Sequence, residues 1–316
     1  MFDIYIYHDE DKNFSLDTKA HHRIQQDHLE GYSFLESKGY KVAITVSQKS
    51  ICFLELGIHE KDLTFDEGED GPDKELALNY VGLKAKYEKE IQEFDFTKAW
   101  KASLKSNNYE AIIKMAKKEI FCFPLNVSMT VSHARMLSAF LEKDTVYNRI
   151  ISVTYYFAKM MGITGYEELS DLICAAFFKD IGTLFLNYGF ENVPTEVLDR
   201  ALQMDYFKHP KISTFLLKKS GIELSEQCLS IIEQHHETPE GAGFPAGLVG
   251  ASVTPLSQLL GVVDQFFRFL GGHLTKNKLT HHDILSLWEK GERPQGMKAY
   301  QDDMAKQFTG FLKSSA

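Results

Sequence analysis

Cysteine is scarce, with four in 316 residues, Cys52, Cys122, Cys174 and Cys228, spread along the chain with no CxxC pair. That excludes a disulfide-stapled scaffold and a Cys-rich zinc module, and it suits a reducing compartment. No apolar run reaches the roughly eighteen residues a membrane span needs. The first residues, MFDIYIYHDEDK, carry acids where a secretory signal needs a basic and then an apolar stretch, so a cytoplasmic location is expected. An excess of basic residues is absent too: 35 Lys and Arg face 44 Asp and Glu, for a formal net charge of -9. A surface built to coat a nucleic-acid polymer needs the opposite balance, whereas a small anionic ligand in a local basic pocket stays compatible with it.

Apolar residues at 44% and charged residues at 25% indicate a chain able to bury a real core. The expected class is mainly α, with a small α/β domain ahead of an all-helical bundle. Residues 2–7, FDIYIY, alternate as a strand; 16–38 read as a helix closed by Gly39; YKVAITV (40–46) and SICFLEL (50–56) read as two further strands. Together these suggest a β-α-β-β unit within residues 1–95, of unknown role. The acidic stretch HEKDLTFDEGEDGPDKE that follows lacks the spacing of a calcium loop and reads as a solvated loop. A helical linker is expected over 96–125 and a helical domain over 126–316. In that domain, helices are predicted at 131–141, at 145–161 closed by Gly162, at 172–178, 196–202, 206–219 and 224–234, and at 255–270 and 280–289, with a loop at 186–195.

The most concentrated chemistry lies in EQHHETPEGAGFPAGLVG, residues 233–250, where two adjacent imidazoles at a helix end meet a glycine-rich turn. Two acids stand out elsewhere. Asp180 in AAFFKDIG and Asp264 in LLGVVDQFF lie in apolar helical segments, where a lone charge is costly unless partnered. With His209, His235 and His236 they make a donor set suited to Fe, Mn, Zn or a similar ion. A bland alternative is a helical bundle whose polar residues simply pair with each other, without metal.

The order of these motifs resembles the HD-GYP domain, a helical subset of the HD superfamily of metal-dependent phosphohydrolases that hydrolyse the bacterial second messenger cyclic di-GMP. The resemblance rests on KDIG at 179–182 against HDIG, KHP at 208–210 against a downstream histidine, HHE followed by GAGFPAGL against HHE and the GYP loop, and VVD at 262–264 against a helix-borne acid. It implies metal ligands at Asp180, His209, His235, His236 and Asp264, with Glu142 matching a carboxylate some members use for an additional metal. It also implies departures. Arg149 and Gly162 fix a register that puts Val146 where the family has its first histidine; Lys179 replaces the HD histidine beside Asp180; Thr183 stands where a substrate-contacting lysine is common; Phe244 replaces the tyrosine of GYP.

With two histidines missing, the resemblance implies one divalent ion rather than two, or none, with Lys179 and Asp180 left at the catalytic position. Arg149, Lys208, Lys211 and Arg268, with Phe244, are the candidate contacts for a phosphate-bearing ligand. Three functions follow as expectations. The first is an HD-GYP protein that binds a cyclic dinucleotide or a signalling partner protein with little or no hydrolysis; the second is an active metal-dependent phosphodiesterase, and the third a ligand-free interaction scaffold.

Overall fold

The computed structural model describes residues 4–8, 13–18, 41–44, 72–124, 127–186, 197–275, 277–290 and 302–313. The chain divides into two compact units, Met1–Glu75 and Leu76–Ala316.

In the first unit, β1 (Ile4–His8), β2 (Asn13–Thr18) and β3 (Lys41–Ile44) form an antiparallel sheet in the order β2-β1-β3. β1 pairs β2 from Ile4 opposite Thr18 to His8 opposite Asn13, and pairs β3 from Ile4 opposite Ile44 to Tyr7 opposite Lys41. The β-α-β-β expectation needs correction at its second element, because residues 16–18 are strand rather than the start of a helix. In NFSLDT, Phe14 and Leu16 alternate with Ser15 and Asp17, a period of two that a helical window starting at residue 16 cuts in half. The rest of that expected helix and the strand at 50–56 lie outside the described residues.

Helices make up most of the second unit's described length. α1 (Pro72–Glu93), α2 (Phe96–Ser106) and α3 (Glu110–Phe121) lead to α4 (Met129–Leu137), α5 (Val146–Met160) and α6 (Tyr166–Phe178). Then come α7 (Arg200–Tyr206), α8 (His209–Ser220), α9 (Glu226–Gln234), α10 (Pro255–Gly271), α11 (His281–Glu289) and α12 (Asp302–Lys313). Residues 96–125, expected as a linker, are helical over α2 and α3 and give Trp100, Ile112 and Ile113 to the unit's core.

The helix boundaries are set by local chemistry. Thr145 accepts the Asn148 amide at 3.2 Å to start α5, and Ser225 accepts that of Cys228 at 2.9 Å to start α9. Thr254 does the same for α10, with Pro255 at the first helical position, where no amide hydrogen is needed. α5 and α10 pack together, with α6 and α9 alongside, so the central helices are buried on most sides. Phe157, Phe266, Phe308 and Phe311 interlock there in edge and stacked contacts. Among the described residues, no helix is long and apolar enough to cross a membrane.

Candidate metal centre

Three helix ends, the start of a 3-10 turn and one helix interior supply the site. Lys179 caps α6, and Asp180 follows it at the start of a 3-10 turn, Ile181–Phe185. His209 opens α8, His235 caps α9 and His236 comes next, while Asp264 and Arg268 project from successive turns of α10. The turn after Asp180 must come very close to α8. A Cβ on Gly182 would stand 2.3 Å from the His209 carbonyl oxygen, so only glycine lets Asp180 and His209 approach this way. The Gly182 amide donates to Ser213 Oγ at 2.9 Å, and Ser213 donates in turn to the Lys179 carbonyl at 2.8 Å, tying the two elements together.

Asp180, His209, His235 and His236 bring one ligand atom each to within 4.8 Å of one another. His209 Nδ1 lies 2.7 Å from the Tyr206 carbonyl, and His235 Nδ1 lies 2.7 Å from that of Ile232. A carbonyl can only accept, so in both rings Nδ1 carries the proton and Nε2 presents a lone pair. Those lone pairs face a carboxylate: His209 Nε2 is 3.3 Å and His235 Nε2 3.7 Å from Asp180 Oδ1. Acceptor faces acceptor. Asp180 Oδ1, His209 Nε2 and His236 Nε2 are all buried without a hydrogen-bond partner, and each such atom costs about 1–3 kcal/mol when left so. A divalent cation among them would remove that cost, and the carbonyl bonds would fix the ring orientations as metal-bound imidazoles require. The donor set fits a metal. Burial pushes His209 down to about 4 and His236 down as well, which keeps both rings neutral and able to ligate.

The other side of Asp180 is arranged differently. The Lys179 ammonium, 1% exposed, pairs with Asp180 and lies 2.6 Å from Asp264 Oδ1. Burial alone would lower its pKa, but the two carboxylates outweigh that and raise it. Burial likewise opposes ionisation of Asp180, and Lys179 overcomes it, holding the carboxyl well below the usual range. Val146 lines the same cleft as Asp180, Thr183, Asp264 and Arg268, with Tyr147 and Tyr206 as aromatic walls. Arg268 Nη1 stands 3.8 Å from Asp180 and 3.9 Å from Asp264, and its guanidinium lies 5.6 Å from the Tyr206 ring centre.

Phe244 stacks on Phe207 at 4.3 Å and leans on His236 at 4.4 Å, so it walls the cluster from the loop side. The loop itself is organised by a residue the sequence reading left without a role. Glu237, fully buried, accepts the amides of Ala246, Gly247 and Leu248, the last at 2.9 Å. A Cβ on Gly243 would stand 2.4 Å from the His236 carbonyl oxygen, so the loop folds back tightly onto the end of α9. The available signal was an acid just after the histidine pair and several residues before a glycine-rich turn, a pattern that invites a carboxylate to collect loop amides. Tyr147, Tyr206 and His273 were likewise missed as cleft residues, because isolated rings at these positions carry no motif spacing that marks them.

Other expected site residues stand apart. Arg149 donates to Asp144 at 2.9 Å and to Asn107, and lies over Tyr109, so its charge is already used. Glu142 is largely exposed and pairs with Lys117 at 3.1 Å, outside the cluster. Lys208 pairs with Asp205 at 2.7 Å, and Lys211 is an exposed residue of α8.

Residues 155–293 match the HD domain family model. A further match joins 143 residues, 45% of this chain, at 27% identity to a protein of Xanthomonas campestris pv. campestris named cyclic di-GMP phosphodiesterase response regulator RpfG. The chain spans about a third of that relative's length, 36%. Among solved structures, Bd1817, a HDG"Y"P protein from Bdellovibrio bacteriovorus, aligns over 99% of this chain and 94% of its own at 14% identity and a TM-score of 0.46. These matches support reading residues 155–293 as an HD domain of the HD-GYP kind, and the chain carries GFP in place of GYP at residues 243–245.

Proposed function

We propose that this HD-GYP domain holds a single divalent ion on Asp180, His209, His235 and His236 and recognises a cyclic dinucleotide with little or no hydrolysis. The observation that carries the proposal is the Lys179 ammonium between Asp180 and Asp264. In a two-metal centre those carboxylates would bridge to a second ion. Here a fixed ammonium sits on both of them, with the Arg268 guanidinium completing the charge balance, and Val146 offers no ligand beside it. An ammonium balances charge, but it cannot bind a water molecule and lower its pKa as an ion does. The mixed nitrogen and oxygen donors suit Fe, Mn or Zn. Such an ion, when bound, would supply Lewis acidity toward a phosphate oxygen.

The chain's own residues would do the rest. Tyr206 and Ile232 hold the imidazoles in register through their carbonyls, and Phe244 excludes water from the loop side. Glu237 keeps the glycine loop closed over the cluster. The cyclic dinucleotide as ligand is supported by the relatedness to a named cyclic di-GMP phosphodiesterase, which is why an active hydrolase is the second reading. The intact four-residue cluster favours it, since one ion with a nearby cationic residue can still polarise a phosphodiester. A scaffold that acts only through a partner protein is the third reading.

Metal analysis of the purified protein, cyclic-di-GMP hydrolysis and calorimetry separate them. The expected result is one ion per chain, binding heat with the dinucleotide and no robust turnover. Rapid conversion to linear dinucleotide would overturn the proposal in favour of the hydrolase; no binding heat would overturn it in favour of the scaffold.

A further inference from the structure

We infer that Arg268 is the phosphate receptor of this cleft and that its hold on the anion is coupled to metal binding at the neighbouring cluster. This rests on the reading above only in taking the cleft to bind a phosphate-bearing ligand. The other nearby cations are engaged or outside the cleft: Arg149 is held by Asp144, Lys208 by Asp205 and Lys179 by two carboxylates at once, while Lys211 is an exposed residue of α8 that does not line it. Arg268 is different. Its side chain is 12% exposed, its Nε has no hydrogen-bond partner, and its Nη1 stays beyond hydrogen-bond distance of both acids, at 3.8 Å and 3.9 Å. It lines the cleft between Tyr206 and Tyr147, and the nearby Tyr206 ring supports the guanidinium in the way such rings support planar cations. A planar fork with unused donors fits a phosphate bidentately.

The charges explain the coupling. Lys179 and Arg268 against Asp180 and Asp264 sum to zero, so the metal-free cleft offers an anion local donors but no net attraction. A divalent ion on the cluster adds two positive charges beside Arg268. Phosphate and metal therefore strengthen each other, and by reciprocity each changes the other's affinity by the same factor.

The test titrates inorganic phosphate, and separately cyclic di-GMP, into the full chain with and without Mn2+, for the wild type and for R268Q and R268K. In the wild type, Mn2+ should tighten phosphate binding by roughly 5–150-fold. R268Q should lose phosphate binding by about tenfold or more and, with a positive charge removed from beside the cluster, bind Mn2+ at least as tightly in phosphate-free buffer. R268K, with the charge but not the fork, should fall between. Equal phosphate affinity in the wild type and R268Q, or no effect of Mn2+, would overturn the inference. Cyclic di-GMP binding that is unchanged in R268Q would also overturn it while leaving the proposed function standing. Phosphate binding that depends on Arg268 without any cyclic di-GMP binding would uphold it and sink that function instead.

Discussion

On one side of Asp180 stand His209, His235 and His236, the first two with proton positions fixed by backbone carbonyls and all three bringing a ligand atom to one cluster. On the other stand Lys179 and Asp264, whose charges already cancel, and Val146, which has none. The first half leaves Asp180 Oδ1, His209 Nε2 and His236 Nε2 without hydrogen-bond partners and could accept a cation from outside; the second carries its cation as a side chain. The contrast separates two jobs that a two-metal centre merges. Neutralising a pair of buried carboxylates needs only positive charge, whereas activating water needs an ion with open coordination positions. Lys179 can do the first and not the second.

The sharpest way to break this contrast is to remove the internal cation. Lys179→Met leaves two buried carboxylates without their counter-ion, a loss of about 3–5 kcal/mol. Thermal melting of the metal-free protein should fall on the order of 10 °C. An unchanged melting temperature would mean that Lys179 is not the group that satisfies Asp264. Next in size is Gly182→Ala, whose new methyl must displace the His209 carbonyl. It should cost about 1–3 kcal/mol in urea unfolding and also weaken metal binding, because the shift moves a ligand. A stability loss with metal affinity intact would show that the glycine serves packing alone.

A smaller effect comes from pH. His209 is held near 4 in the folded, metal-free state against an ordinary 6.5, so between those values the unfolded chain binds more protons and stability falls as pH falls. Asp171 works the other way. Buried beneath Ser225, it is pushed up to about 6 from 3.8, so it favours the folded state as pH drops through that window. Replacing it by Asn removes the opposing slope. Denaturant midpoints of D171N should therefore decline more steeply from pH 6.5 to pH 4 than those of the wild type; a shallower decline would contradict these assignments. The smallest expected change is Phe244→Tyr, which keeps the ring on Phe207 and His236 and adds only a hydroxyl. Its unfolding free energy should match the wild type within about 0.5 kcal/mol, since no contact is removed.

How far the site was legible in the sequence follows the same division. The histidines, Asp180 and Asp264 could be named because an imidazole pair before a glycine turn, and acids inside apolar helices, are chemically conspicuous. Two of the helices carrying them were legible for a related reason: Ser225 and Thr254 are capping residues at the head of periodic apolar runs. What periodicity could not supply was which basic residue is spent. Arg149, Lys208 and Arg268 look equivalent as letters, and only the positions of Asp144 and Asp205 reveal that the first two are engaged. Glu237 escaped for a similar reason, since its partners are backbone amides, which leave no mark in a sequence. In the first unit, the second half of the short strand Asn13–Thr18 falls within a helix expected from residue 16, because a few residues of alternation are easily outvoted by a longer mixed window.

The most direct test of the central claim is a metal count. After loading with excess Mn2+ and dialysis, elemental analysis should find one ion per chain in the wild type and none in His235→Ala, while Val146→His with Lys179→His should raise the count toward two. Two tightly held ions in the wild type, or one that survives the loss of His235, would contradict the account.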